Sequence, residues 1–497
     1  MSALNLIVLL PILNAIVVML GAPARKSALL SSWAQLALSI LALLNYDRTL
    51  GGYQFKTTLH VAPEWNLNLF MGADGLSLVM LFLTALVTLA AVWVTPKIEK
   101  RENLFYACVL LISAGAAGAF ASLDLFFFYA FHELALVPTF LLIGIWGSGE
   151  RQLAAWKITI YLAIGSIILL VGLTKLYLAQ NVALLPGHAR TFDMIVMAKT
   201  PGLIPVAEQG GIYIWLLVGF GVLISLFPFH SWAAPAYASA PTPAAMLHAG
   251  VLKKFGLYGL IRLAVPMLPE GAKHWATLLL VLLVCNILYI GLVTIAQKRL
   301  DTMLGYSSVM HMGYIFLGIA AGNVIGVSGA AMLMLAHGLS IAALFAMCGT
   351  LRQSSPSLAF TSMGGVAKHA PFLGYAFGMA AFASIGLPGF ANFASEMMVF
   401  FGSFKTGATP GALTFSGQQI ATVCALWGVV ISAVYMLRAY RKIFQGEPLA
   451  GSELVKDPSC CVRWPVILLL AALMLGGLWP KSFLNFIQPS VEALIAK

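Results

Sequence analysis

Charge is the scarcest thing in this chain. Of its 497 residues only 9% are Asp, Glu, Lys or Arg, while 61% are hydrophobic. Soluble proteins carry about 25% charged residues, so a soluble globular fold is excluded. Cysteine is also sparse. Cys108, Cys285, Cys348 and Cys424 lie inside apolar runs, and Cys460 and Cys461 are adjacent. None has the spacing that holds zinc or an iron–sulphur cluster, so they read as small apolar fillers and a loop pair. No glycine-rich phosphate loop, Walker motif, dinucleotide fingerprint or HExxH-like pattern occurs, so neither cofactor nor metal is expected here. The first twenty residues (MSALNLIVLLPILNAIVVML) lack the basic start and small-residue cleavage site of a secretory signal, and read as a first span. The formal net charge of +11 is scattered among short loops rather than striped on one face, which argues against nucleic acid.

What is abundant is the apolar run. A span needs about 20 apolar residues. Stretches of that order lie near 2–22, 28–46, 73–95, 104–121, 124–146, 155–179, 211–232, 244–267, 273–296, 300–321, 325–350, 369–403, 417–440 and 464–482. The expected fold is an all-α polytopic membrane protein of fourteen helices. Orientation follows from basic residues, which favour the cytoplasmic side. With the N-terminus outside, sixteen Lys and Arg fall in inner loops, Arg25, Lys100, Arg151 and Arg352 among them. Eight fall on the other face, including Arg48, Lys199 and Lys497. Both termini are therefore expected on the outer side.

The chain is organised around Gly221–Arg262, an apolar helix broken through Pro228, Pro235, Pro241 and Pro243 that resumes carrying Lys253 and Lys254. Proline removes a backbone donor, and lipid tolerates unsatisfied backbone only where protein or a water-filled cavity surrounds it. The seventh span (SLFPFHSWAAP) has an echo in the twelfth (SIGLPGFANFASE), five spans later. Five is odd, so the halves run in opposite directions, as in transporters built from inverted repeats.

Charge at membrane depth is costly, roughly 2.5–3.5 kcal/mol on insertion scales, so the residues that carry it are candidates. Glu133 lies nine residues into the fifth span after Asp124, about 13 Å along a helix. It reads either as a proton carrier that partners a buried lysine or as a structural hydrogen-bonding group. Lys254 is mid-way along the eighth span, with Lys253 about 100° around the helix; the two do not easily face one cavity, and one is expected to snorkel or to pair elsewhere. Glu396 follows the twelfth-span break and reads either as functional or as a cap of the resumed helix. His230, His248, His311 and His337 fall in or beside spans, as relay groups or as structural histidines; His337 lies between the two halves. Asp74 opens the third span and reads as a helix cap.

Six segments together carry a resemblance. They are ELALVPTFLLIGIWG with Glu133, HSWAAPAYASAPTPAAM, AGVLKKFGLYGLIRL with Lys254, YSSVMHMGYIFLGI, HGLSIAALF with His337 and ASIGLPGFANFASEMMVFFGSF with Glu396. The chain resembles, along its whole length, the antiporter-like subunit M of bacterial respiratory complex I. The resemblance implies fourteen helices in two inverted five-helix repeats, with helices seven and twelve broken. The corresponding division is 1–100 (helices one to three), 101–268 (first repeat), 269–445 (second repeat) and 446–497 (closing loop and helix fourteen). It also implies a proton path through Glu133, Lys254, His337 and Glu396, with Lys253, His230, His248 and His311 as secondary candidates.

There are departures. The family's seventh-helix lysine, paired with the fifth-helix glutamate, corresponds to Leu223 here, and the family's LPDAH reads Ala233 to Tyr237 (AAPAY). Lys253, on the next helix, is the nearest substitute for the missing cation.

The function implied is a proton-translocating membrane subunit of an NADH:quinone oxidoreductase in a bacterial inner membrane. FMN, iron–sulphur clusters and quinone would belong to partner subunits, and the neighbours would be antiporter-like subunits of the L and N types and small hydrophobic subunits. The alternatives are a subunit of a multi-subunit Na⁺/H⁺ antiporter or related ion-pumping complex, with sodium as the other ion, and a non-pumping structural paralogue.

Overall fold

The computed structural model describes residues 3–495 apart from 63, 65–66, 356, 407–413 and 450–451. Lys497, one of the outer basic residues, and the side chain of Cys461 lie outside the described residues. Ten helices, from Ala24–Leu44 to Gly417–Phe444, are each long and apolar enough to cross a membrane. The four other expected spans do not meet that test as single straight helices. The first is the 17-residue helix Ala3–Met19. The eighth is interrupted by two wide turns, the twelfth is broken, and the last bends by 70° between Val462–Leu478 and Lys481–Ile495. The protein is thus all-α and polytopic in its membrane part.

Side-chain caps close helix starts locally. Asp124 accepts from the backbone N–H groups of Phe126 and Phe127, and Asn323 from that of Gly326. Such caps satisfy donors that a helix start leaves open. One element escaped the sequence reading: an antiparallel hairpin of β1 (Gln54–Ala62) and β2 (Leu67–Ala73), in register through Thr57↔Met71 and Leu59↔Leu69. Its β-branched KTTLHV segment is too short and polar to span, and suits a pleated ribbon.

The two breaks share one backbone geometry. Helix Val206–Ile224 ends at Ser225 with φ +71°, and helix Pro371–Ile385 ends at Gly386 with φ +83°. In each, the residue after the left-handed one donates back five residues: Leu226 N–H to Gly221 C=O (2.7 Å) and Leu387 N–H to Phe382 C=O (3.1 Å). This is the Schellman arrangement. Pro228 and Pro388 come within three residues, and the chain re-enters helix at Ala233–Ser239 and Ala391–Thr406. The echo between FPF and LPG is therefore an echo in space.

The eighth span is segmented differently. Two π-helical turns, His248–Leu252 and Leu260–Ala264, flank the short α-helix Lys254–Gly259. Its neighbour is the longest helix, Val324–Ser354, whose most apolar stretch is wholly buried. Glycines set this contact: a Cβ on Gly338 would stand 2.6 Å from the carbonyl oxygen of Gly250, and one on Gly250 would stand 3.1 Å from that of Gly338. Small residues let membrane helices approach at backbone distance.

Asp74 is more than a cap. Its carboxylate accepts from Ser77 N–H (2.9 Å) and pairs with the Arg262 guanidinium. Both side chains are almost fully buried, and Arg262 also lies over the rings of Tyr258 and Tyr53. The pair ties the start of the third span to the far end of the eighth. Breaking a buried pair leaves an uncompensated charge at about 3–5 kcal/mol. Asp74→Asn or Arg262→Met should therefore lower the melting temperature of the detergent-solubilised chain sharply, while the double variant Asp74→Leu/Arg262→Met recovers most of the loss. Thermal denaturation followed by tryptophan fluorescence checks this.

Candidate functional site

Glu133 ends the first part of the fifth span, helix Leu125–Glu133, which continues as Leu136–Trp146. The Ser166 hydroxyl, from the sixth span (Arg151–Leu178), contacts the carboxylate and lies 2.9 Å from the Tyr129 hydroxyl. His132 Nδ1 is 3.3 Å away. No lysine or arginine pairs with Glu133 among the described residues. The position of Leu223 explains why: it is buried, and it packs over Gly165, the neighbour of Ser166. The seventh span thus presents an aliphatic side chain beside Gly165. Glu133 is also not sealed, since 33% of its side chain is exposed. It stands at the rim of the site rather than in its interior.

Neither lysine of the eighth span snorkels; both are buried, Lys253 at 1% exposure and Lys254 at 0%. They point apart. Lys254 Nζ donates to the Ala249 carbonyl (2.6 Å) and meets His337 Nδ1 at 2.9 Å. Lys253 Nζ has no hydrogen-bond partner and lies 5.1 Å from the Tyr237 ring centre and 5.8 Å from that of Trp232. The expectation that one lysine finds a different partner holds, but that partner is a pair of aromatic faces rather than the interface.

From Lys254 the titratable groups continue into the second half. The His337 ring lies 5.5 Å from that of His311, centre to centre. His311 places Nδ1 2.8 Å from the Ser307 carbonyl and Nε2 2.8 Å from the Ser384 carbonyl. Carbonyl oxygens only accept, so both contacts are hydrogen bonds only when both ring nitrogens carry protons. Ser384 belongs to the last turn before the Gly386 break, where carbonyls lack helical partners; His311 reaches that opened turn directly.

Beyond the break, Glu396 is buried on helix Ala391–Thr406, too far into the helix to cap its first turn. Its carboxylate lies against Gly386, where a Cβ would overlap it, and Oε1 has no protein partner. The capping alternative is therefore set aside.

The remaining histidines divide. His248 Nδ1 meets the Tyr237 hydroxyl at 3.1 Å and its ring lies 5.6 Å from Trp232, which places it beside Lys253. His230 stands in the seventh-span break, stacked on Phe227 (5.7 Å) and edge-on to Tyr289, outside the Lys254–His337 group. Sequence reasoning passed over three residues. His132 stacks on Phe255 at 4.1 Å between the centres and so reaches from Glu133 toward the eighth span; its position next to Glu133 was the available signal. Tyr237 and Asn392 gave none, since their importance comes from what lies across from them. Both polar atoms of buried Asn392 lack a protein partner, as do His337 Nε2, Ser308 Oγ and Ser328 Oγ. An unmet buried polar group costs about 1–3 kcal/mol, and buried water is what ordinarily meets it.

Comparison with known proteins places this geometry. Residues 122–422, which include every group of the site, match the family described as "NADH:quinone oxidoreductase/Mrp antiporter, TM". NADH-quinone oxidoreductase subunit M of Rickettsia felis is 31% identical over 508 aligned positions, covering 99% of each chain. A chain of respiratory complex I from Thermus thermophilus superposes with a TM-score of 0.88 at 27% identity, covering 100% of this chain and 99% of that one. A chain of the Mrp complex from Dietzia superposes with a TM-score of 0.84 over 99% of this chain and 97% of that one, and at 21% identity it supports the fold alone. With a family match over more than half its length and a full-length relative above 30% identity, this chain belongs to the NADH:quinone oxidoreductase/Mrp antiporter family of transmembrane subunits.

Proposed function

We propose that this chain is a proton-translocating membrane subunit of an NADH:quinone oxidoreductase, with no redox centre of its own. FMN, iron–sulphur clusters and quinone are assigned to partner subunits, and antiporter-like and small hydrophobic subunits to its flanks, in a bacterial inner membrane with both termini outside. The observation that carries this reading is the buried 2.9 Å contact between Lys254 Nζ and His337 Nδ1, from two helices held together at Gly250 and Gly338. An amine and an imidazole at that distance exchange a proton without either moving far. From His337 the free Nε2 faces onward, His311 bridges to the opened turn of the twelfth span, and Glu396 lies beyond the break with a free oxygen. Orphaned polar atoms along this line give water a set of binding points. At the other end, the partly exposed Glu133 supplies a group at the rim where a neighbouring subunit packs.

Driving force comes from elsewhere in this scheme. Electrostatic or conformational change in partner subunits shifts the balance between the proton-loaded and unloaded states of a coupled network, and the breaks at Ser225 and Gly386 are the points where the backbone can give.

Three outcomes test the reading in inverted membrane vesicles of the host complex. Lys254→Met and His337→Leu should each cut proton flux per NADH oxidised by at least about tenfold, the contribution expected of a positioned proton carrier being larger still. Native-gel staining should show the complex assembled. Unchanged flux in both would leave the non-pumping structural role. Gly386→Ala should also lose flux, because a Cβ at φ +83° strains the turn and meets the Glu396 carboxylate; Ser225→Gly should be tolerated. Flux that needs sodium, and persists when NADH oxidation is blocked but an ion gradient is imposed, would favour the antiporter reading.

A further inference from the structure

The two adjacent lysines of the eighth span do not do the same thing. Lys254 has a hydrogen-bonding carbonyl and a histidine; Lys253 has neither. Instead its amine lies against two aromatic faces. Trp232 and Tyr237, from the segment after the seventh-span break, supply two faces. His248, one helical turn earlier on the same span, stands 5.6 Å from each of those rings. The π turn His248–Leu252 immediately precedes Lys253, and a wide turn rotates the residues after it around the helix axis. Lys254 is thus aimed at the eleventh span and Lys253 at the seventh.

Burial strips water from the Lys253 amine, and the faces of Trp232 and Tyr237, at 5.8 and 5.1 Å, offset part of that cost for the charged form. For packing alone an apolar side chain would serve better, because it leaves no orphaned donor. A buried amine that no hydrogen bond fixes is suited to picking up and giving off a proton. Among the described residues the only other buried lysine is Lys254, which is engaged by the Ala249 carbonyl and His337. Glu133 has His132 and Ser166 beside it, and Leu223 fills the seventh-span position above Gly165. His132 stacks on Phe255, two residues along the helix from Lys253.

We propose that Lys253 is a second proton-carrying amine, serving the first half of the chain as Lys254 serves the second. This rests on the proton-translocating reading above. A proton released from the Glu133–His132 side forms an N–H bond at the Lys253 amine. It is then passed on, that N–H bond breaking, to the Lys254–His337 pair. No electron moves. The Trp232 and Tyr237 faces hold the charged form between the two transfers.

The test uses the assembled host complex in inverted vesicles, with proton flux per NADH oxidised as the readout. Lys253→Met should lower flux at least about tenfold. The double variant Leu223→Lys/Lys253→Met moves the amine to the helix beside Ser166 and Glu133, and should recover more than half of the flux. A merely structural lysine, packed against two aromatic faces, would not be rescued by an amine on another helix. Should Lys253→Met fail to assemble, the double variant decides: recovery supports the proposal, and a silent or unassembled double overturns it. Normal flux in Lys253→Met with loss in Lys254→Met would overturn this proposal and leave the wider reading standing. Normal flux in both would overturn the reading itself.

Discussion

The close crossing of two helices governs this structure. At Gly250 and Gly338 the eighth and eleventh spans meet backbone to backbone, and nothing larger than hydrogen fits on either residue without pushing them apart. Because they meet there, Lys254 and His337, both buried, face each other at hydrogen-bond distance. A side chain at either glycine would widen the crossing, and the amine and imidazole would then be separate buried polar groups, each expensive. One steric fact thus turns two liabilities into a coupled pair.

The two helix breaks complete the arrangement. Each ends a span with the same left-handed turn and each leaves backbone polar groups without helical partners, which lipid does not tolerate unless something polar is near. At the twelfth span that something is His311, bonded to the Ser384 carbonyl; at the seventh it is Asn286, whose side-chain oxygen accepts from Phe227 N–H at 2.6 Å while its amide donates to the Val309 carbonyl. The breaks are therefore held open by side chains from neighbouring helices. They differ in what lies beyond: an orphaned carboxylate, Glu396, in one half, and two aromatic faces against an amine in the other. The two breaks share a backbone turn and differ in the chemistry beside it.

Much of this was legible in the sequence because its causes are local. Apolar runs of spanning length follow from composition, and both breaks follow from proline. Lys254, His337 and Glu396 stand out because charge and imidazole are rare in such runs. The features that could not be read have non-local causes. The π turns around Lys254 arise from packing and leave no pattern in HAGVLKKFGLYGLIRLA. The Asp74–Arg262 pair joins residues 188 apart, so Asp74 alone looked like a cap, which it also is. The position of Glu133 at a partly exposed rim depends on which side of the fifth span meets the sixth, and its weak hydrophobic periodicity did not reveal that. The hairpin before the third span was missed because attention to long runs passes over a nine-residue strand.

The central claim is that protons move through the buried Lys254–His337–His311 group during turnover. Redox-triggered infrared difference spectroscopy on the assembled host complex, with histidine uniformly labelled with nitrogen-15, tests it most directly. The account predicts isotope-sensitive imidazole bands that appear on NADH addition and disappear in the His337→Gln variant. Proton pumping by the wild-type complex with no histidine band changing on turnover would contradict it.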